Sequence, residues 1–399
     1  MFWTTPKAVR FLVFLAIFLF VEPTTDGREA QPAVPGVMLF GDSLVGVGNN
    51  DYLATLVKAN MAPYGRDFKD HIATGRFGNG KLLSDIIGWS KPYSILFVQM
   101  DLFDILHEFL PVLWHAYLVL QLAWYTAGEK LGFNGSPPAY LSPQASGQNL
   151  LIGANFASAG SGYYDPTARI YHVIPLSRQL EYLKEYQSKL RVVAGNDHAQ
   201  SIISDSLYII SAGSNDFGFN YYINPLLFLT QNADQFSDRL VGIFNNTVTQ
   251  LHAMGARRVG VFSLAPLGCA LLAITVFGLG RNRCVPRLND DAQRFNGKLS
   301  AAVDSLSNRY HDLKVAVLDI YTPWHSLATS PVSHGFAEAR HGCCATGLVE
   351  FTVFLCNSLS IGTCPNATTY VHWDSIHPSE AANRVIVDSL GEGINKLVM

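Results

Sequence analysis

Charged residues are scarce in this 399-residue sequence: Asp, Glu, Lys and Arg make up 15% of it, with a formal net charge of −3. No stripe of Lys and Arg stands out, which argues against nucleic acid as a partner. Internal repeats and low-complexity tracts are also absent, which argues against repeat architectures. Because hydrophobic residues form 49% of the chain, the composition is typical of a globular protein with a substantial core.

The first 30 residues have the pattern of a secretory signal peptide followed by a linker. Lys7 and Arg10 precede an unbroken apolar run over residues 11–21, and Pro23 and small residues follow it. The run is shorter than the ~20 residues of a membrane-spanning helix, although an uncleaved anchor is the alternative interpretation. We therefore expect a secreted protein, and three N-glycosylation sequons fit that compartment: Asn134, Asn245 and Asn366.

Cysteine is absent from the first 268 residues, and all six cysteines lie in the C-terminal part of the chain: Cys269, Cys284, Cys343, Cys344, Cys356 and Cys364. In an oxidising compartment an even number of cysteines predicts disulfides rather than metal ligands or nucleophiles. Cys269 with Cys284 would close a short loop. The other four can pair in three ways, of which a bond between the adjacent Cys343 and Cys344 is disfavoured by its geometry.

Five short apolar runs, each followed by turn residues, predict a parallel sheet. They lie at residues 37–40, 155–157, 207–210, 259–262 and 315–318. Continuous rather than alternating apolar character is typical of strands covered on both faces. Helical patterns lie between the runs, for example over residues 177–190. This alternation predicts a doubly wound α/β domain over residues 31–399.

Three polar turns follow the first three predicted strands, at residues 41–44, 157–162 and 213–216. Gly, Ser, Asn and Asp are common turn residues, so each turn alone is weak evidence for a site. In a parallel sheet, however, reactive groups gather at the carboxyl ends of the strands. The joint placement of the three turns therefore predicts a site that includes Ser43, Gly160 and Asn215.

Near the C-terminus, Asp374 stands three residues before His377, close enough to orient the imidazole within one turn. Ser43 would attack a carbonyl, His377 would take its proton, and Asp374 would fix the imidazole. The backbone N–H groups of Ser43 and Gly160 and the Asn215 amide would hold the oxyanion. A Gly-x-Ser-x-Gly elbow is lacking, which disfavours the α/β-hydrolase form of this chemistry.

As a set, these motifs resemble the plant GDSL esterase/lipase family within the SGNH hydrolases. Ser43, Gly160 and Asn215 match its first three blocks, and Asp374 and His377 match the last. The similarity covers nearly all the mature chain and includes residues 48–50, 75–77, 266–269, 284–286 and 342–347. The resemblance implies a flavodoxin-like three-layer α/β/α fold with a central five-stranded parallel sheet, hydrolysis of carboxylic esters, no metal and no cofactor. Gly46 departs from the usual Asp of the family, which puts the loop geometry in question.

The natural substrate stays open at this point. The partner would be a small-molecule or polymeric ester, such as a lipid, a wall ester or a glycan ester. An acyltransferase would share the same acyl-enzyme, with an alcohol in place of water. A non-catalytic extracellular protein that retains the fold is a third hypothesis.

An apolar segment at about residues 89–127 does not fit the family pattern, and residues 109–128 contain no Asp, Glu, Lys or Arg. Its length and lack of charge suit a membrane span, but a single span would separate Ser43 from His377 and prevent the site from assembling. Two other interpretations are a helical lid over an acyl-binding cleft and sequence foreign to the fold, such as a retained intron. We expect no stable membrane span.

Overall fold

The structure is a computed structural model, and it describes residues 34–89, 136–344, 356–357, 360 and 363–399. At its centre lies a five-stranded parallel sheet, in the order β2-β1-β3-β4-β5. The strands are β1 (Val37–Gly41), β2 (Gly153–Asn155), β3 (Leu207–Ser211), β4 (Arg258–Phe262) and β5 (Lys314–Leu318). This is the flavodoxin-like strand order, and it confirms the predicted fold.

Both faces of the sheet are covered, because successive side chains of a strand point to opposite faces. In β1, Met38 and Phe40 belong to one apolar cluster, and Val37 and Leu39 belong to another. All five residues of β1 and of β3 are buried. The continuous apolar runs in the sequence therefore correspond to strands that contribute to two cores at once.

Helices form the outer two layers. Those packed on the first cluster are α3 (Leu176–Ala194), α4 (Asn196–Asp205), α7 (Ala233–Ala253) and α9 (Pro286–Arg309). Those packed on the second are α1 (Leu83–Trp89), α10 (Tyr321–Thr329), α11 (Glu380–Asp388) and α12 (Gly391–Val398). The predicted helix over residues 177–190 lies within α3, and its apolar stripe is buried.

Shorter elements connect these layers. They are α2 (Asp165–Ile170), α5 (Ser214–Asp216), α6 (Pro225–Thr230), α8 (Leu271–Phe277), a π-helical turn (Phe217–Tyr221) and a parallel pair, β6 (Glu338–Gly342) with β7 (Tyr370–His372). Single 3₁₀ turns lie at Asn49–Tyr52, Lys69–His71, Gly147–Ile152, Leu267–Cys269, Pro331–His334 and Ala367–Thr369.

The second strand is the one whose predicted position was wrong. We predicted residues 155–157, whereas β2 begins two residues earlier, at Gly153, and ends at Asn155. Gly153 has a φ of +104°, and a Cβ there would lie 2.0 Å from the carbonyl oxygen of Val37. Because glycine is uncommon in strands, the sequence at Gly153 does not indicate the start of one. Beyond β2 the chain still runs beside β1, since the Phe156 N–H donates to the Leu39 carbonyl at 2.8 Å.

All three disulfides among the described residues lie in the C-terminal part. The bond between Cys269 and Cys284 confirms the predicted short loop. The other four cysteines pair as Cys343–Cys364 and Cys344–Cys356, so the adjacent pair is not bonded to itself.

Several predictions lie outside the described residues: the signal peptide and linker of residues 1–30, the sequon at Asn134 and, apart from Trp89 at the end of α1, the apolar segment at 89–127. The residues that flank the undescribed stretch 90–135 are joined by a hydrogen bond, in which the Ser136 hydroxyl donates to Asp85 of α1 at 2.6 Å. One compact unit spans Ala33–Met399. Among the described helices, none combines the length and the apolar character that a membrane span requires.

Candidate active site

The predicted site residues meet at the carboxyl edge of the sheet, where the strand order reverses around β1. Ser43 follows β1, Gly160 follows β2 and Asn215 follows β3. Ligand sites of open α/β sheets lie at such an edge. The turn after β1 requires glycine at position 41, because its φ is +113° and a Cβ would lie 1.6 Å from the Ser211 carbonyl oxygen.

Ser43, His377 and Asp374 form a continuous chain of contacts. The Nε2 atom of His377 lies 2.8 Å from the Ser43 hydroxyl oxygen. On the other side of the ring, Nδ1 lies 2.8 Å and 3.0 Å from the two carboxylate oxygens of Asp374. All three residues are at least 92% buried, with relative exposures of 8%, 6% and 5%. Asp374 and His377 therefore lie within one turn of each other, with the carboxylate against the imidazole.

This turn is fixed by its own backbone. The N–H groups of Ile376 and His377 both donate to Oδ1 of Asp374, at 2.8 Å and 2.7 Å. Immediately afterwards, Ser379 caps α11 by accepting from the Ala382 N–H at 3.2 Å. The carboxylate and the imidazole are thus held in one orientation before any substrate enters.

The surroundings keep Asp374 ionised. Burial raises the pKa of its carboxyl, but the adjacent imidazole of His377 and the two backbone N–H groups outweigh burial and lower the pKa below the usual value. Tyr64 donates its hydroxyl to Oδ2 at 3.0 Å. Sequence reasoning missed Tyr64, because 310 residues separate it from Asp374; the only local signal is a Pro-Tyr-Gly turn.

The backbone N–H groups of Ser43 and Gly160 and the side-chain amide of Asn215 are of the type that binds an oxyanion. In the described part of the chain, nothing accepts from the N–H of Ser43 or of Gly160. The Asn215 amide donates to the Ser161 carbonyl at 2.7 Å, and an amide has a second N–H. All three residues line the same cavity. The structure therefore brings all five predicted site residues together.

The loop that carries Gly160 is held by an asparagine pair from the 3₁₀ turn after β1. Asn49 donates to the Ala157 carbonyl at 2.8 Å, and Asn50 donates to the Ala159 carbonyl at 3.0 Å. Asn50 also accepts from the Ser158 hydroxyl at 2.6 Å. In the sequence this pair was noted only as part of the family resemblance. In the structure it fixes the loop of Gly160 beside the turn of Ser43.

Two further carboxyls are buried below the site. Burial raises the pKa of Asp42 to about 6, although the Ser211 hydroxyl donates to it at 2.8 Å. Burial also raises the pKa of Asp216 to about 7, although it accepts from Thr167 and from the Tyr163 N–H at 2.6 Å each. Asp42 thereby binds the end of β3, and Asp216 binds the residues that follow the second polar turn.

Gly46, where the family usually has Asp, lies in the turn that follows Ser43. Its N–H donates to the Asp42 carbonyl at 2.9 Å. A Cβ at this position would lie 3.0 Å from that carbonyl oxygen. The turn is therefore closed by its backbone, and the contact between Ser43 and His377 forms with glycine present.

A cavity that is partly open to solvent lies over Ser43. Most of its lining is apolar or aromatic, and the full set is Ser43, Val57, Tyr64, Phe77, Ala159, Gly160, Tyr171, Asn215, Phe219, Asp374, Ser375, Ile376 and His377. Within the described ranges, no group of three or more His, Cys, Asp or Glu side chains could hold a metal ion. The absence of metal and cofactor stays a prediction.

The sheet order, the helices on both faces and the polar turns at the carboxyl edge define a protein of the SGNH hydrolase fold. Residues 37–390 match the family model for GDSL-like lipase/acylhydrolase. The chain is 49% identical over 365 residues to the GDSL esterase/lipase APG of Arabidopsis thaliana, which covers 91% of this chain and 92% of that protein.

Two further relatives from Arabidopsis thaliana are similar over nearly their whole length. GDSL esterase/lipase At5g22810 is 48% identical, over 91% of this chain and 90% of its own, and GDSL esterase/lipase At5g03820 is 47% identical, over 95% and 97%. The chain belongs to the GDSL esterase/lipase family, an enzyme family of carboxylic ester hydrolases. This confirms the resemblance and the enzyme class predicted from the motifs.

Proposed function

We propose that the protein is a secreted serine esterase that cleaves carboxylic esters through an acyl-enzyme on Ser43. The observation that carries the proposal is the unbroken contact from Asp374 through His377 to Ser43, with Ser43 in the lining of a mostly apolar cavity. This arrangement provides a nucleophile, a base within hydrogen-bonding distance and a group that orients the base.

In the acylation step, the Ser43 hydroxyl attacks the ester carbonyl while His377 Nε2 removes its proton. Asp374 keeps the other imidazole hydrogen on Nδ1, so that Nε2 is the basic nitrogen, and it stabilises the imidazolium that forms. The imidazolium then gives its proton to the departing alkoxide. The carboxylate stays ionised throughout, because its lowered pKa is maintained by the same imidazole and backbone donors.

The tetrahedral intermediate carries its negative charge next to three donors. These are the N–H groups of Ser43 and Gly160 and the second amide hydrogen of Asn215. Donors that are fixed before the reaction need no reorganisation when the charge develops. The asparagine pair at Asn49 and Asn50 fixes the Gly160 loop, so this preorganisation is built into the fold.

Deacylation repeats the same chemistry with water. His377 takes a proton from the water, the resulting hydroxide attacks the acyl carbonyl, and Ser43 leaves with the proton returned by His377. With an alcohol in place of water, the same sequence would transfer the acyl group.

The lining of the cavity favours an ester with at least one apolar arm. Val57, Phe77, Tyr171, Phe219 and Ile376 surround the space over Ser43. Apolar walls with a few fixed polar groups are typical of sites for small organic ligands. A lipid, a wall ester or a glycan ester with an apolar acyl group would fit this description.

Secretion is part of the proposal. It is supported by the apolar N-terminal run and by three disulfides, which are typical of oxidising compartments. Of the two described sequons, Asn366 is exposed, whereas Asn245 is half-buried within α7. We propose Asn366 as the better-placed glycosylation site of the two.

The proposal is tested by hydrolysis of a short-chain nitrophenyl ester by the purified, disulfide-intact protein. Wild type is expected to turn over the ester, and Ser43→Ala and His377→Ala are expected to lose that turnover. Ser188→Ala, which changes an exposed serine of α3, is the matched control. Product analysis with a hydroxylated acceptor distinguishes hydrolysis from acyl transfer. A folded wild-type protein without turnover would favour the non-catalytic hypothesis.

A further inference from the structure

Tyr64 is the one side chain besides His377 that reaches the Asp374 carboxylate among the described residues. Its hydroxyl oxygen lies 3.0 Å from Oδ2 of Asp374, the same oxygen that lies 2.8 Å from His377 Nδ1. The other oxygen, Oδ1, accepts the two backbone N–H groups of the turn. Both carboxylate oxygens are therefore bound by donors of the protein itself.

The ring of Tyr64 is held as firmly as its hydroxyl. It packs edge-on against Phe77 and Trp373, with ring centroids 5.6 Å and 6.5 Å away. Phe77 in turn lies 5.3 Å from the ring of His377. Tyr64 is 1% exposed and lines the cavity. Its ring and its hydroxyl are therefore both fixed beside the carboxylate.

The chain around Tyr64 leaves little freedom for it to move away. The Tyr64 N–H donates to the Met61 carbonyl at 3.2 Å, and the Gly65 N–H donates to the Gly78 carbonyl at 2.9 Å. Gly65 has a φ of +68°, and a Cβ there would lie 2.3 Å from the Ile72 carbonyl oxygen. The next residue, Arg66, stacks over Trp373 at 5.0 Å.

We propose that Tyr64 is a positioning residue that acts through Asp374, as a fourth member of the hydrogen-bonded chain that ends at Ser43. This inference rests on the proposed function. The hydroxyl holds Oδ2 in line with His377 Nδ1 and shares the negative charge of the carboxylate. Burial and the neighbouring carboxylate both raise the pKa of Tyr64 well above its ordinary value. The phenol consequently stays a neutral donor over the whole range in which an esterase works.

Tyr64→Phe tests the hydroxyl alone, because the ring contacts are retained. Without that donor the Asp374 carboxylate keeps more of its negative charge and attracts the imidazolium of the acylation step more strongly. We expect the acid limb of the kcat/KM profile to lie at higher pH than in wild type. We also expect kcat to fall about 10-fold, with KM changed less than about 3-fold, because the lost contact orients the base rather than the substrate.

Tyr186→Phe is the matched control, since it also removes a buried hydroxyl that donates a hydrogen bond, to the Leu150 carbonyl at 2.7 Å. Tyr186 lies in α3 and is not part of the cavity lining. It should lower stability without moving the pH profile. If Tyr64→Phe behaves like Tyr186→Phe, with the wild-type pH profile and kcat, the positioning role is refuted.

A second readout does not depend on turnover. The Nδ1–H of His377 is hydrogen-bonded to the Asp374 carboxylate and should give a low-field resonance in the proton NMR spectrum of Ser43→Ala. That resonance should shift when Tyr64→Phe is added and stay unchanged with Tyr186→Phe. An unshifted resonance in Tyr64→Phe would overturn the positioning role, whether or not the protein is an esterase. A shifted resonance in a protein whose wild type is inactive would count against the proposed function alone.

Discussion

His372 carries a specific prediction for the acid stability of the fold. It is the last residue of β7 and is completely buried, and neither ring nitrogen has a hydrogen-bond partner among the described residues. Burial, with a smaller effect of nearby Arg340, lowers the pKa of His372 from 6.5 to about 4, against the opposing charges of Asp374 and Glu338. The folded protein therefore keeps this imidazole neutral in a range where the unfolded chain protonates it.

The sign and size of the effect follow from linkage. Above pH 6.5 the imidazole is neutral in both states, so it contributes no pH dependence. As the pH falls from 6.5 to about 4, only the unfolded chain binds the proton, and the folded state loses stability. At 1.36 kcal/mol for each pH unit, the interval between 6.5 and about 4 corresponds to a loss of about 3 kcal/mol. Below pH 4 the loss stays constant.

His372→Leu replaces the titratable imidazole by an apolar side chain in the same buried position. We expect the unfolding free energy of the variant, measured by urea titration with disulfides intact, to rise relative to wild type by about 3 kcal/mol between pH 7 and pH 4. The comparison must be a difference at each pH, because Asp42 and Asp216 affect stability with the opposite sign. The raised pKa of each carboxyl stabilises the folded state at low pH, and this stabilisation is lost as the pH rises toward 6 and 7. His311→Gln, at an exposed position, is the control. A constant difference between His372→Leu and wild type across this range would refute the reasoning.

Three further predictions concern other parts of the molecule. Asn215→Ala should lower kcat by ~10²–10³ with little change in KM, because we propose that its amide binds the oxyanion. A fall below 10-fold in steady-state kinetics would contradict that proposed role. Arg76→Ala should destabilise the protein by about 3–5 kcal/mol, since it leaves Asp85 buried without the guanidinium that binds it through two contacts of 2.8 Å. The exposed pair of Arg178 with Glu185, 3.5 Å apart, is the control, and denaturation of Arg178→Ala should show a loss under about 1 kcal/mol. Asn366→Gln should remove one glycan from protein made in a secretory host, as measured by intact mass, and an unchanged mass would show that this sequon is unused.

The sequence predicted most of the fold because the strands of a parallel sheet are apolar throughout. Four of the five predicted strands agree with the structure to within one residue at each end. The exception, β2, is three residues long and begins with a glycine at a positive φ. Such a strand is specified by its contacts with β1 rather than by a local pattern, so no window of residues around it would have indicated its position.

The proximity of the candidate site residues was predictable for a related reason. Parallel strands bring their carboxyl ends to one edge of the sheet, so the polar turns that follow them lie together. What could not be predicted were contacts made across the sequence. Tyr64 reaches Asp374 from 310 residues away, and the pairing of Cys343, Cys344, Cys356 and Cys364 depends on how the loops fold. Distances of this kind exist only in the folded chain.

The most direct test of the central claim is covalent trapping of the nucleophile. The purified protein would be treated with a serine-directed organophosphonate, digested and mapped by mass spectrometry. We predict one phosphonyl group for each chain, on the peptide that contains Ser43, with no labelling of Ser43→Ala and strongly slowed labelling of His377→Ala. An enzyme that hydrolyses esters but stays unlabelled, or that carries the label on another serine, would contradict the assignment of Ser43.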